Sequence, residues 1–269
     1  MSKLPLVSIV LPCYNAQDTI YDTLLSISNQ KFQDFEVIFV NDGSVDDSLT
    51  IAEQFLSSLD IKIISRENKG FLISLEEGIS LSRGTYIARI DADDIWKSNH
   101  LELILNKFFE NSKLVLIGSN AIYINEKNEQ IGLTHLNITH TSITKALLKD
   151  NPFIHSSVVF KKSAYKQTQG YLIGKDEKSK HISDYNLWFE LSKTGECANI
   201  QKHTVLYRIL DSSMSRQIDK CINYRARLSI MKKVYAHYNE YHLFYFFELF
   251  KIKYRLYQYC YIKRLFNEN

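Results

Sequence analysis

Four aspartates carry the most concentrated chemistry in the chain. Asp42 sits in an Asn-Asp-Gly-Ser turn, and Asp91, Asp93 and Asp94 sit in the run Asp91-Ala92-Asp93-Asp94. Each group directly follows a β-branched, apolar run, FEVIFV (35–40) and TYIARI (85–90). Carboxylates gathered at neighbouring strand ends repel one another unless a positive charge lies among them. Mg²⁺ or Mn²⁺ meets that need, because both prefer oxygen ligands and share their coordination with substrate phosphates. Two aspartates at i and i+2 reach one ion only where the strand bends. The competing reading is that residues 91–94 cap the next helix, with Asp94 or Ser98 as N-cap. Their position straight after a buried strand, with Asp42 on a neighbouring strand end, favours the site.

The glycine-built phosphate cradles are missing. No GxGxxG follows the first strand and no GxxxxGK[ST] occurs, which disfavours dinucleotide dehydrogenases and P-loop NTPases. A nucleotide bound here is held by metal and carboxylates. The four cysteines, Cys13, Cys197, Cys221 and Cys260, are scattered without a CxxC pair. Neither a disulfide framework nor a zinc site is expected, and a reducing compartment is the default. A composition of 45% hydrophobic and 23% charged residues, with 9 Gly and 3 Pro, excludes disordered and collagen-like chains. No apolar run reaches the roughly 18 residues of a transmembrane helix. The N-terminal run LVSIVL stops too soon and lacks a cleavage site, so it reads as a strand and not a signal peptide.

These side chains must be positioned by alternating strands and helices. LVSIVL (6–11), FEVIFV (35–40), IKII (61–64), TYIARI (85–90) and LVLIG (114–118) read as strands. Asp18 can cap a helix with Ile20, Leu24 and Ile27 on its apolar face, and Ser44 or Asp46 can start another running to Leu56. A third spans about 71–82, with Gly84 at its C-cap. A hairpin is expected at NEKNEQ and a helix around 184–193. Such βαβ units predict a mostly parallel, doubly wound α/β sheet, with ligands beyond the carboxyl ends of its strands. PCYN (12–15), NDG (41–43) and DADD (91–94) all fall on that edge.

With those residues in place, a family resemblance emerges. VSIVLPCYNAQDTI, FEVIFVNDGSVDDS, ENKG and GTYIARIDADD resemble, in order and spacing, the motifs of the family 2 glycosyltransferases. The resemblance covers roughly residues 5–215. It implies a GT-A (nucleotide-diphospho-sugar transferase) fold and inverting transfer from a nucleotide sugar. It further implies that Pro12 and Tyr14 line the nucleoside pocket and that Asp42 bonds the base, usually uracil. Asp91 and Asp93 match the DxD pair, Asp91 near the ribose and Asp93 on the Mn²⁺ or Mg²⁺ that bridges the diphosphate. Asn68 and Lys69 lie in a loop near the donor. NPFIHSSV (151–158) resembles a segment bordering the acceptor, which brings in His155. Ser183-Asp184-Tyr185-Asn186-Leu187-Trp188 resembles the segment that supplies the catalytic base, making Asp184 the base and Trp188 an acceptor-side candidate. The bland readings stand beside these: His155 as a hydrogen-bonded pocket wall, Trp188 as core, Asp184 as a helix cap. A model Asp, with pKa about 3.9, serves as base at neutral pH without a large shift.

The chain departs from the family pattern at three points. Ser183 replaces the usual acid before the base, Leu210 replaces a histidine in Tyr207-Arg208-Ile209-Leu210, and Glu76 stands where asparagine is common. Two alternatives to an active transferase are a sugar-nucleotide pyrophosphorylase and a glycan- or lipid-binding scaffold with a decayed site. The first needs a Gly-rich basic loop after the first strand, which PCYNAQD is not; intact Asp42, Asp91, Asp93 and Asp184 argue against the second. The expected product is a bacterial surface glycan such as lipooligosaccharide or capsule.

The charge is uneven. Residues 220–269 hold ten Lys/Arg against three Glu, a formal +7, leaving residues 1–219 at −4. The same stretch holds nine Tyr and five Phe. The expected organisation is a catalytic domain over 1–217, with a nucleotide-sugar half (1–120) and an acceptor half (121–217), then a helical tail over 218–269. Two helices are predicted, near 219–238 and 241–267. Tyrosines with cations suit an anionic membrane surface, so the expected location is cytoplasmic, peripheral on the inner face. Packing on the catalytic domain and self-association compete with that reading. No nucleic-acid motif accompanies the basic stretch.

Overall fold

The computed structural model describes residues 4–171, 182–210 and 219–267. Its centre is one nine-stranded sheet. Strands β1 (Val7–Cys13), β2 (Phe35–Asn41), β3 (Ile61–Ser65) and β4 (Tyr86–Arg89) run parallel in the order β3-β2-β1-β4. The helices between them are α1 (Ile20–Ser28), α2 (Ser48–Glu53) and α3 (Phe71–Leu81). Every residue of β1, β2 and β4 is buried, as strands covered on both faces must be. Along β1, Val7, Ile9 and Leu11 pack with α1, while Val10 packs with Leu75 and Ile79 of α3.

Beyond β4 the sheet becomes mixed. Elements β5 (Ile95–Trp96), α4 (His100–Glu110), β6 (Leu114–Ile124), β7 (Gln130–Leu133), α5 (His140–Ala146), β8 (Val159–Lys161) and α6 (Lys162–Tyr165) follow. Then come α7 (Ser183–Ser192) and β9 (Glu196–Arg208). The order continues β4-β8-β6-β9-β5, with β7 on β6. β6 and β9 pair in parallel, but their register shifts between Ser119 and Ala121, where Gln201, Lys202 and Thr204 are extra. This bulge bends the long pair, so its far half reaches β5 and β7. The predicted hairpin is the β6–β7 turn, with Asn128 at φ 63°.

Local details differ from expectation. The N-cap position of α1 is Thr19 and not Asp18, without a side-chain capping bond, and α2 starts only at Ser48, whose backbone N–H donates to Asp46 (3.1 Å). Gly84 is no helix cap: a Cβ there would lie 2.6 Å from the Ser8 nitrogen, so glycine lets the chain cross β1 closely. Cys221 and Cys260 form a disulfide, against the expectation of none; two helices bring their Cα atoms to 5.8 Å despite 39 residues of separation. Cys13 and Cys197 are free and buried.

Those helices are α8 (Lys220–His237) and α9 (His242–Asn267). Ala226, Ile230, Met231 and Val234 of α8 are buried in the same core as Tyr185, Leu187 and Trp188 of α7. The expected boundary at 217/218 lies outside the described residues. Among the described residues no helix is long and apolar enough to cross a membrane.

Candidate active site

The ends of β1, β2, β3 and β4 meet along one edge, and four loops leave from it. Loop 13–17 and loop 43–48 are stitched together: Asn15 N–H donates to Ser44 Oγ (3.0 Å), and Ala16 N–H donates to Ser48 Oγ (2.8 Å). Tyr14 projects from the first of these loops with 53% exposure, and Pro12 is buried in β1 beneath it. Gly43 has φ +77°, and a Cβ there would lie 2.7 Å from the Asn68 nitrogen. Only glycine permits that backbone and that approach.

Asp42 organises the third loop. Its carboxylate accepts from Lys69 N–H (2.8 Å) and Gly70 N–H (2.9 Å) and pairs with Arg66, which also bonds Glu77 (2.7 Å). Asp42 is 3% exposed. The expected contact with a base therefore falls to a carboxylate already engaged by the protein, and what the geometry displays is positioning of loop 66–70. Asn68 and Lys69 are exposed on that loop.

The acidic run after β4 divides its tasks. Arg89, fully buried at the end of β4, forks both Nη groups onto both oxygens of Asp91. Ser156 Oγ donates to Asp91 Oδ2 (3.0 Å) and accepts from the Asp91 N–H (3.1 Å) and from Arg89 Nη1 (3.2 Å). Burial raises the Asp91 carboxyl, yet Arg89 outweighs it, and Asp91 is held below the ordinary range. Asp94 is buried; its Oδ1 accepts from Arg208 N–H (2.8 Å), while its Oδ2 has no hydrogen-bond partner among the described residues. Burial and the charges of Asp93 and Asp91 push it well up. Asp93 has no ion pair with a basic side chain among the described residues, and burial plus the Asp91 charge raise it to about 6. One oxygen from each of the three lies within 4.8 Å of the others.

That donor set fits a hard divalent cation. Three carboxylates face one fork-bound arginine, and one buried oxygen is orphaned. With both Asp91 oxygens bonded by Arg89, Asp93 is the carboxylate that could hold a Mn²⁺ or Mg²⁺ ion. Arg208 braces the turn, donating from Nε to the Asp93 carbonyl (2.9 Å) and from Nη1 to the Asn125 carbonyl (3.2 Å).

Asp184 lies in the first turn of α7, where the helix dipole favours a negative charge. Asn151 Nδ2 donates to its Oδ2 (2.7 Å), and the Tyr185 N–H donates to its Oδ1 (2.7 Å). Burial raises this carboxyl; the Tyr185 N–H, Arg89 and Asn151 counter it, and Asp91 adds to the rise. The Asp184 carboxyl, expected without a large shift, is thus raised. One chain segment touches both predicted centres: Asn151 bonds Asp184, and five residues on Ser156 bonds Asp91.

His155 stands between them. Its Nε2 shares a hydrogen bond with the Tyr171 hydroxyl (2.8 Å), and its ring meets Phe71, Tyr171 and Trp188 at centroid distances of 6.1, 5.7 and 5.6 Å. Burial and Arg89 hold it well below the ordinary histidine range, so it is neutral. Trp188 is 0% exposed and packs among Phe153, Phe160 and His155. It offers no face to an acceptor, and the core reading of this residue is the right one. Glu76 accepts from the Tyr171 N–H (2.6 Å) and the Tyr165 hydroxyl, anchoring the chain before Tyr171.

The sequence reading passed over Arg89, Ser156 and Asn151. Arg89 had one available signal: a cation inside an otherwise apolar buried strand needs a carboxylate partner.

Comparison with known proteins decides the family. The model for glycosyl transferase family 2 matches residues 8–168. The chain belongs to glycosyl transferase family 2. It is 34% identical over 220 residues to an uncharacterized glycosyltransferase of Haemophilus influenzae, covering 78% of this chain and 67% of that protein. It is 29% identical over 205 residues to chondroitin synthase of Escherichia coli, covering 75% of this chain but only 29% of the synthase. Among solved structures, S. aureus TarS (residues 1–349) superposes with a TM-score of 0.70 at 15% identity, over 94% of this chain and 74% of that one. That likeness establishes the GT-A fold. The family 2 member described here is a glycosyltransferase of the nucleotide-sugar-dependent kind, with an acidic cluster compatible with Mn²⁺ or Mg²⁺.

Proposed function

We propose that this chain transfers a hexose or N-acetylhexosamine, with inversion, from a UDP-sugar to a hydroxyl of a growing bacterial surface glycan. The observation that supports the reading is that one segment bonds both proposed centres: Asn151 holds Asp184, and Ser156 holds Asp91 of the acidic run that contains Asp93. Relatives named chondroitin synthase and hyaluronan synthase support a polysaccharide acceptor, and lipooligosaccharide or capsule is the product we favour. We further infer that the work is done at the inner face of a membrane, where lipid-linked acceptors are extended.

In this reading Asp184 accepts the proton of the acceptor hydroxyl as its oxygen bonds the anomeric carbon. The bond from that carbon to the diphosphate breaks, and UDP leaves with the electron pair. Asn151 holds the Asp184 carboxylate at the acceptor side. Asp93 would hold Mn²⁺ or Mg²⁺, which offsets charge on a departing diphosphate when bound. Asp91, kept ionised and aimed by Arg89 and Ser156, accepts from the ribose. Pro12, Tyr14, Asn68 and Lys69 border the nucleoside; His155 borders the acceptor as a neutral wall.

Release of UDP from a panel of UDP-sugars in the presence of Mn²⁺ tests the activity. A positioned base contributes about 10²–10⁴ in rate, so Asp184→Asn is expected to keep donor affinity and lose turnover by that factor. Turnover within about tenfold of wild type removes Asp184 from the role. Binding of a glycan with no UDP release from any donor would favour the scaffold reading.

A further inference from the structure

Helix α9 leaves one face uncovered. Tyr245, Glu248 and Ile252 point inward and are buried, and Tyr245 stacks on Tyr235 of α8 with centroids 3.9 Å apart. The outward residues are large and apolar or aromatic: Leu243 (89% exposed), Phe246, Phe247, Phe250 (71%), Tyr254 and Tyr257. At 100° per residue these six fall within about 100° of arc, a single stripe. At 1.5 Å per residue the stripe is about 21 Å long. An apolar stripe of that size is unusual on a surface facing only water.

The cations show what covers it. Lys251 and Lys253 lie on the two flanks of the stripe by the same helical spacing, and Arg255 follows. Lys251 bonds Glu248 (2.9 Å) and sits 3.9 Å from the Phe247 ring centre, so its stem lies beside the aromatic face. Glu248 is buried on the inward side, and α9 has no other acidic residue over 242–267. The outward surface therefore carries aromatic rings and positive charge without negative charge. A second copy of the same face would set two tails of formal +7 against each other. A lipid surface with anionic headgroups complements both properties: rings enter the interface and lysines meet phosphates.

We propose that the Leu243–Tyr257 stripe of α9 lies in the interface of an anionic membrane, parallel to its plane, with the α8 side facing the protein. This rests on the membrane-side reading above but not on the catalytic assignments. The stacking of Tyr245 on Tyr235 holds α9 against α8, so the helix docks as part of the body.

The test is sedimentation of the full chain with vesicles of phosphatidylcholine, with and without phosphatidylglycerol. Wild type is expected to pellet with the anionic vesicles, less so as salt rises, and to stay in solution with neutral ones. Phe246→Ser with Phe250→Ser removes two exposed rings and is expected to lower binding about tenfold or more. Its fold and UDP release should persist, because neither ring is at the site and only Phe246 touches the α8 packing, at Tyr235 and Tyr245. Pelleting of the double variant like wild type overturns the proposal, as does equal binding to neutral vesicles. A wild-type dimer in solution that this variant dissociates, without vesicle binding, assigns the stripe to a second copy instead. Vesicle binding without UDP release would leave the docking face standing and remove the catalytic reading.

Discussion

Arg89 decides how the acidic cluster divides its work. A guanidinium buried without a counter-charge is costly, and Asp91 supplies that charge through two parallel bonds. Arg89→Lys keeps the charge but loses the fork. We expect donor affinity in the presence of Mn²⁺ to fall about tenfold or more in this variant, measured by calorimetry; unchanged affinity would mean that the fork is structural only. Asp93, left open, is the residue whose proton competes with the cation. Folding raises it from 3.8 to about 6. The native chain without a cation thus holds a proton that the unfolded chain has released between those values. Stability falls as pH rises through that window, and a divalent cation replaces the proton. The expected result is a larger Mn²⁺-induced rise in melting temperature at pH 7.5 than at pH 5, and its loss in Asp93→Ala. An equal rise at both pH values would place the ion elsewhere.

At the scale of elements, the site depends on loops pinned across the sheet edge. The turn after β2 and loop 66–70 touch through Gly43 and Asn68, so a single Cβ disturbs both. Gly43→Ala combines a positive φ with a 2.7 Å clash, and we expect it to cost about 1–3 kcal/mol in denaturant unfolding and to weaken donor binding. The strands of the first half were legible because buried parallel strands are unbroken β-branched runs, and β1, β2 and β4 lie where the runs lie. Two kinds of element were not. Strand β5 is two residues long, too short for any periodicity, and exists because the bulged far half of β9 reaches it. The contacts of Asn151 and Ser156 depend on chain segments 33 and 65 residues away, which no local pattern encodes. Asp93 and Asp184 were nameable from motif order; the residues that aim their neighbourhood were visible only once the chain had folded.

For the whole molecule, the tail and the body are not separate in packing. Helix α8 fills a core that α7 and α3 also line, and Ile230 is 1% exposed within it. Ile230→Ala is expected to cost about 2–5 kcal/mol, read as a lower denaturation midpoint. A chain ending at residue 216 loses that whole contribution and should aggregate or show reduced ellipticity. A well-folded truncated form would show that the core closes without α8. The basic, aromatic residues after 220 decorate helices whose inner sides belong to the core that α3 and α7 also line.

The stretch from Asn151 to Ser156 grips the Asp184 carboxylate at one end and the Asp91 carboxylate at the other. Grafting acceptor preference between relatives therefore has a natural unit. A transplanted stretch must keep the five-residue spacing between its asparagine and its serine, or the chimera will mis-set both substrates at once.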